Sequence, residues 1–455
     1  MELDTAIATS PESNVARGGN SRSEEEGTLM SQIGRIEWVF SRMVFCALPT
    51  LLSVVLPLGC SLNRNPECGV SAEKRVLVAG GDSWRGHAGN LRISPGFRNV
   101  GVLLRGGATG DRFVLMRGPE IVSQKIGEFS LSPDGRVAAA AVNDGQGWYV
   151  AIVGERQAKL GPFEDVAWLQ ISPGSLLASF VGSRSGHRIA VVREKENDKY
   201  EAVDQLVLGP EPDAVAFGAR RQNKWVVCSG LGEGQDFDQV RLRSDWGTVA
   251  YVARIAEKRL IVVNGRVDSI HELCGSPAVS LSGNHVAYCA LLAGKLTMVL
   301  DQREVATLRL EDGLSSDPEC AVSDSGTWAC HFRDGGRWAV RQAKGTGESF
   351  DRVWDLSASG SVVAYAAERG NRCFLIVDGR ISEQSYDLVS GVGLFDDGQC
   401  CVARGARGGQ EYLLLNDKEI GPYDEVLGFD QCTEPDHIHA VVRKGEKIEI
   451  IRLVK

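Results

Sequence analysis

From Ile93 to the C-terminus, apolar positions come in short runs, each closed off by Gly, Asp, Asn or Ser. One stretch shows the pattern in full. Leu356-Ser357-Ala358-Ser359-Gly360 is followed by Val362–Ala367 (VVAYAA), then by Phe374-Leu375-Ile376-Val377-Asp378-Gly379, and finally by Tyr386-Asp387-Leu388-Val389. Runs this short, rich in β-branched and aromatic residues and bounded by turn formers, predict strands. Near-continuous apolar character, as opposed to strict alternation, predicts strands buried on both faces. Asp-Gly and Asn-Gly supply the positive φ angles of tight hairpins. No space remains between the runs for a crossover helix, so the sheets are expected to be antiparallel meanders.

The same unit recurs along the chain. Leu131-Ser132-Pro133-Asp134-Gly135 leads into Val137–Val142, and Leu281-Ser282-Gly283 leads into Val286–Ala290. Val322-Ser323-Asp324-Ser325-Gly326 leads into Trp328-Ala329-Cys330, and Leu394-Phe395-Asp396-Asp397-Gly398 into Cys400-Cys401-Val402. Anchors at Ile93, Leu131, Ile171, Arg243, Leu281, Val322, Leu356 and Leu394 lie 38, 40, 72, 38, 41, 34 and 38 residues apart. The gap of 72 holds two units, the boundary between them blurred around Ala214–Phe217. Unit endings agree as well: Gly161-Pro162-Phe163-Glu164-Asp165-Val166 nearly repeats at Gly421-Pro422-Tyr423-Asp424-Glu425-Val426. A period near 40 residues built from four short strands is that of a propeller blade. One such sheet cannot cover its own faces, whereas radial stacking buries each face against a neighbour. The expectation is therefore an all-β protein, a β-propeller of about eight blades (seven to ten), each four-stranded and antiparallel, over residues 73–455. Lys74–Ala79 and Glu449–Val454 are the segments expected to pair and close the ring.

Leu131-Ser132-Pro133-Asp134-Gly135-Arg136, with the Ala/Val-rich strand after it, resembles the repeat signature of the TolB-like and WD-type propellers of bacterial envelope proteins. The resemblance extends from about Ile93 to the C-terminus, although later copies replace the Pro. It implies the fold more than any activity.

The N-terminal region adds a compartment. Residues 1–29 are polar, contain Glu24-Glu25-Glu26, and read as a disordered or untranslated leader, with translation expected to begin at Met30. Arg35 and Arg42 precede the apolar Met43–Gly59, and Ser61–Asn65 is abruptly polar, so residues 30–59 read as a signal peptide and 60–72 as a linker. Leu56-Pro57-Leu58-Gly59-Cys60 resembles a bacterial lipobox, which implies lipidation of Cys60 and a mature protein anchored in the cell envelope by lipid; Pro57 and Leu58 depart from its usual residues. An uncleaved anchor and a buried core helix are the competing readings. The interruptions at Pro49 and Pro57 disfavour both. Beyond Cys46 and Cys60, ten cysteines remain, a number that permits disulfides in an oxidising compartment without fixing their connectivity. Several sit inside apolar runs, where a buried free thiol is expected, and the adjacent Cys400 and Cys401 should point to opposite faces.

Candidate chemistry is sparse. Fifty-three glycines and a formal charge of −9 without a basic run suit a turn-rich acidic protein and argue against nucleic-acid binding. Val76–Ala79 followed by Gly80-Gly81-Asp82-Ser83 resembles the nucleophile block of GDSL-type esterases, and Asp436-His437-Ile438-His439 has that family's acid–base spacing. In that resemblance Ser83 would be the nucleophile, His439 the base and Asp436 its orienting acid. The family is an α/β fold whose serine opens a helix, however, while Ser83 is followed by the glycine-rich Arg85–Asn90. Gly80-Gly81 reads better as a turn, and His437 and His439 as alternating positions on an edge strand. No other catalytic residue, cofactor site or metal site is assigned. Trp148, Trp168, Trp225, Trp246, Trp328, Trp338 and Trp354 lie in or beside repeats, mostly as packing, with one or two free to line a binding face. The expected function is a non-catalytic, envelope-associated binding or scaffold module for a protein, peptide or glycan. The alternatives are a hydrolase, using Ser83 and His439 or a site in the channel, and a purely structural lipoprotein.

Overall fold

Ten four-stranded sheets follow one another in sequence, and every sheet is an antiparallel meander. The structure is a computed structural model, and it describes residues 73–78 and 91–454 except 95–97, 108–109, 173–175, 199, 209–214, 230–231, 246–247, 293–294, 309–318, 396–397, 417, 432–436 and 446. The leader, the signal segment, Cys60 and Ser83 therefore lie outside the described residues. Blades 1 to 9 span residues 91–123, 125–163, 165–197, 202–233, 239–271, 278–308, 320–346, 352–381 and 388–423. Blade 10 joins both ends of the chain: Glu425–Gln431, His437–Lys444 and Lys447–Val454 are completed by Glu73–Val78 as the fourth strand. The backbone of Glu73 pairs with Arg452 and that of Lys74 with Ile451, which fastens the ring with hydrogen bonds between the two ends.

Strands are called a to d in the order of each sheet. Neighbouring a strands approach one another around nearly the whole ring and neighbouring d strands do not, so the a strands surround the axis. Turns between a and b lie on one face of the ring, and turns between b and c on the other.

The core is divided among the gaps between blades. Strand b of blade 2, Val137–Asn143, shows why its sequence is apolar without alternating. Val137, Ala139 and Ala141 pack toward blade 3 with Phe180 and Val191, while Ala138, Ala140 and Val142 pack toward blade 1 with Leu103 and Phe113. Clusters of the same kind fill the gap between every neighbouring pair of blades among the described residues, including Leu91 and Val102 of blade 1 against Val441 and Ile450 of blade 10. Cys400 faces blade 10 and Cys401 faces blade 8, the opposite-face arrangement read from their adjacency. At roughly 1.5–3 kcal/mol for each large side chain buried, these interfaces are what a single blade lacks on its own.

Ten blades close the range expected from the sequence and exceed its central value of eight. Two blades account for the difference. The a–b connection of blade 4 falls at 209–214 without an Asp-Gly turn signature, and blade 10 is split between the two ends of the chain. One expectation is corrected. His437 and His439 lie on strand b of blade 10, paired on both sides, and not on an edge strand.

Candidate functional site

The repeated ending of the units has a structural task. Its aromatic residue is buried between blades: Phe163, Tyr200, Phe237, Phe350, Tyr386 and Tyr423 are all buried. The acidic residue after it starts the next blade and caps that blade's b–c turn. Carboxylates of Glu164, Glu201, Asp238, Asp351 and Asp387 accept the N–H groups of Gly186, Gln222, Ala256, Gly370 and Gly408 at 2.7–3.0 Å. Asp424 does the same for Gly445. Arg184, Arg369 and Arg407 then lay their guanidinium groups over Phe163, Phe350 and Tyr386. The repeat's acids and aromatics thus serve packing. Function is to be sought where the repeat is broken.

At the axis, part of the edge backbone is already engaged. Side chains of one a strand reach the next: Leu169 N–H donates to Glu128 at 2.9 Å, Leu242 N–H to Gln205 at 2.8 Å, and Gly391 N–H to Asp355 at 2.6 Å. Gln170 accepts from Leu208 N–H at 3.1 Å and donates to the Leu206 carbonyl at 3.2 Å. Trp168, at φ 58° and 41% exposed, belongs to one of the bulges that carry these contacts. Bonds that stitch the a strands together occupy polar edge groups a channel ligand would otherwise use.

Blade 5 differs from blades 2, 4 and 7 at the start of strand c. At the start of strand c, blades 2, 4 and 7 carry Trp148, Trp225 and Trp338, each paired with the aromatic of its own ending. Blade 5 carries Arg259 there, and its partner is His271. The chain that follows pairs with strand b of blade 6 at Cys274, opposite Ala290, before the two-residue first strand Ala278–Val279. Around Arg259 lies a cleft of about 440 Å³ on the b–c face, lined by Trp225, Gln239, Arg241, Arg254, Arg259, Cys274 and Ser276, together with Val240, Val252 and Ala253.

Its electrostatics are unusual for so acidic a chain. Gln239, Arg254, Arg259 and His271 are successive cross-strand partners over all four strands of blade 5, so they share one face. Arg241, two residues along from Gln239, points the same way. Arg254 and Arg259 therefore stand directly opposite each other, a like-charge pairing that disfavours the folded sheet. Arg259 is held by a 2.9 Å hydrogen bond from its Nη1 to the Cys274 carbonyl. Asp238, the nearby acid, is engaged by Lys224 and by Ala256 N–H, and these contacts hold its carboxyl below the ordinary range. Three guanidinium groups on the blade-6 side of the cleft, with the half-buried indole of Trp225 on its blade-4 side, make a site for carboxylate groups on an extended ligand.

The sequence-derived candidates fare differently. His439 lies mid-strand, across from Asp430 and Arg452, while its supposed partners Ser83 and Asp436 are outside the described residues. Trp225 is the tryptophan that lines the cleft; Trp246 is outside the described residues. The arginines were missed because they sit on three different strands and form no linear motif. The local signal was slight: Arg259 stands where blades 2, 4 and 7 have Trp, but blade 3 has Arg188 there too. Beside the cleft, His271 Nε2 meets Ser269 Oγ at 2.7 Å, Ser269 meets Tyr288 Oη at 2.7 Å, and Tyr288 donates to Asp268 at 3.1 Å. His271 Nδ1 is buried with no hydrogen-bond partner among the described residues, so no acid orients this imidazole as a general base requires.

No protein-family model matches this chain, and no curated protein matches it. Solved structures do. Similar ones include the Dos1 propeller, 11% identical over 72% of this chain and 93% of that one, with a TM-score of 0.35. Sqt1 of Chaetomium thermophilum, bound to the N-terminus of the ribosomal protein L10, is 12% identical over 72% and 96%, with a TM-score of 0.32. The dihydro-heme d1 dehydrogenase NirN in complex with DHE is 12% identical over 79% and 80%, with a TM-score of 0.35. At these scores the fold assignment rests on this chain's own ten sheets and the closure of its ring.

Proposed function

We propose that this propeller is a binding module that takes an acidic segment of a partner protein into the cleft of blades 4–6. The carrying observation is the like-charged pair Arg254 and Arg259, with Arg241 and Trp225 beside it, in a cleft on a chain of net charge −9. Clustered guanidinium groups on an otherwise acidic surface focus the field locally and select negatively charged ligands. Carboxylates of an Asp/Glu-rich peptide would pair bidentately with the arginines, and its backbone would lie against the indole of Trp225. The test is a fluorescence titration with an Asp/Glu-rich peptide and a Lys-rich one of equal length, at low and at high salt. Binding of the acidic peptide alone, weakened by salt, is expected. Arg254→Gln with Arg259→Gln should weaken it about tenfold, the loss of one to two charge-assisted hydrogen bonds at a partly exposed site. Equal binding of both peptides would refute the proposal.

We also carry the envelope tether as a proposal, resting on the signal-like segment before Cys60 and the resemblance of Leu56–Cys60 to a lipobox. Labelled fatty acid should enter the wild-type chain and not Cys60→Ser. Equal labelling of the two, or labelling of neither, would contradict the tether.

A further inference from the structure

Between blades 6 and 7 two cross-strand pairs meet face to face, and both bring sulfur. In blade 6, Cys289 and Met298 are directly opposite each other; in blade 7, Cys320 and Cys330 are. Cys289, Met298 and Cys330 are fully buried, and Cys320 is partly exposed. Cys289 Sγ lies 3.5 Å from Cys320 Sγ and 3.7 Å from Met298 Sδ, and Cys320 Sγ lies 3.8 Å from Met298 Sδ. The three edges are nearly equal. The centre of an equilateral triangle lies one edge over √3 from each corner, so edges of 3.5–3.8 Å put a central point about 2.1 Å from all three sulfurs. A metal–thiolate bond is about 2.3 Å long, which a slight outward movement of each side chain would provide.

The donor set decides the metal. Calcium and magnesium take oxygen ligands, and zinc takes four ligands drawn from thiolate, imidazole and carboxylate. A three-sulfur set that includes a thioether, with Cys289 and Met298 fully buried, suits a soft monovalent ion. We propose that Cys289, Cys320 and Met298 bind one Cu(I) ion in a trigonal sulfur site that bridges blades 6 and 7. Each thiol that ligates as thiolate releases one proton to solvent, Met298 supplies a lone pair, and copper keeps its oxidation state. Cys330 stands next to Cys320 as a further thiol. Its cross-strand partner on the other side, Arg341, brings a guanidinium to the same face, with Nε buried and lacking a hydrogen-bond partner among the described residues.

The test is anaerobic titration of the full, thiol-reduced protein with Cu(I) in competition with a chromophoric Cu(I) chelator, followed by X-ray absorption. One ion retained per chain with three sulfur neighbours is expected. Met298→Leu keeps the packing volume and should weaken retention by more than the roughly tenfold that even outer partners of a metal site are worth. Cys320→Ser should weaken it further, and Cys228→Ser, a buried thiol in blade 4, should leave it unchanged. Failure of the reduced wild type to retain copper, or retention indifferent to both Met298→Leu and Cys320→Ser, would overturn the proposal. So would a Cys289–Cys320 disulfide that mass spectrometry finds resistant to reduction in the native protein.

Discussion

Replacing Phe350 with alanine tests how the ring is held together. Phe350 is 1% exposed and belongs to the cluster between blades 7 and 8, with Ala329, Val340, Val363 and Ile376 around it. Its ring makes an edge contact with Tyr365 at 6.2 Å, and the guanidinium of Arg369 lies over it at 4.7 Å. Truncating a buried Phe to Ala costs about 3–5 kcal/mol, of which the ring pair accounts for about 0.5–1.5 kcal/mol. The cation–π contact adds about 0.5 kcal/mol at this partly exposed arginine. A loss of about 4 kcal/mol is therefore expected, near the middle of that range because Tyr365 and Arg369 can settle into part of the space. Blades couple mainly to their neighbours, so the loss should be local. Hydrogen exchange at graded urea concentrations is the assay, because a repeat array need not unfold in one step. Protection should fall most in residues 320–346 and 352–381 and little in blades 2 and 3. A uniform fall around the whole ring, or a loss under about 1 kcal/mol, would refute interface-by-interface stabilisation.

Two further outcomes follow from the same contacts. Asp387→Ala leaves Gly408 N–H without its 2.9 Å acceptor and should destabilise blade 9 by about 1 kcal/mol, read as faster exchange at the 408–409 turn; unchanged exchange there would refute the capping role. Acidification should loosen blades 5 to 7. Burial lowers the pKa of His271 and of His331 below the ordinary 6.5, and His331 Nε2 accepts Glu319 N–H at 2.9 Å, a bond that protonation at that nitrogen would abolish. For a histidine with a depressed folded-state pKa, the unfolded chain binds the proton first. The contribution is intact above pH 6.5 and lost as pH falls toward the folded value. Thermal melts at pH 7.5 and 5.5 should show a smaller difference in His331→Gln than in the wild type; an equal difference would place the sensitivity elsewhere.

Much of the fold could be read from the sequence because each blade interface repeats one chemical solution. The apolar b strands, the Asp-Gly and Asn-Gly turns, and the aromatic-acidic endings are individually short, but they are local, and locality is what a period reveals. Gly161-Pro162 and Gly421-Pro422 show how far the repetition goes: both peptide bonds are cis, and both glycines have positive φ. What was not legible depends on contacts distant in sequence. Blade 10 takes its fourth strand from Glu73–Val78, so no full copy of the unit appears at either end. Arg241, Arg254 and Arg259 become neighbours only through the registers of strands a, b and c in blade 5. The sulfur cluster is split between two blades in the same way, with Cys289 and Cys320 brought together across an interface. Ser83 and His439 present the reverse case, a linear resemblance to a hydrolase for which the described residues supply no assembled site.

Site-directed photocrosslinking at the cleft tests the central claim most directly. Gln239 is exposed, lines the cleft and shares a face with Arg254, so a photoreactive side chain placed there reports on whatever occupies it. With an Asp/Glu-rich peptide present below saturation, adducts should form at position 239, decline with added salt, and fall about tenfold in the Arg254→Gln, Arg259→Gln background. An undiminished adduct yield in that background, or equal yield from a probe at exposed Lys195 in blade 3, would contradict an arginine-defined site between blades 4 and 6.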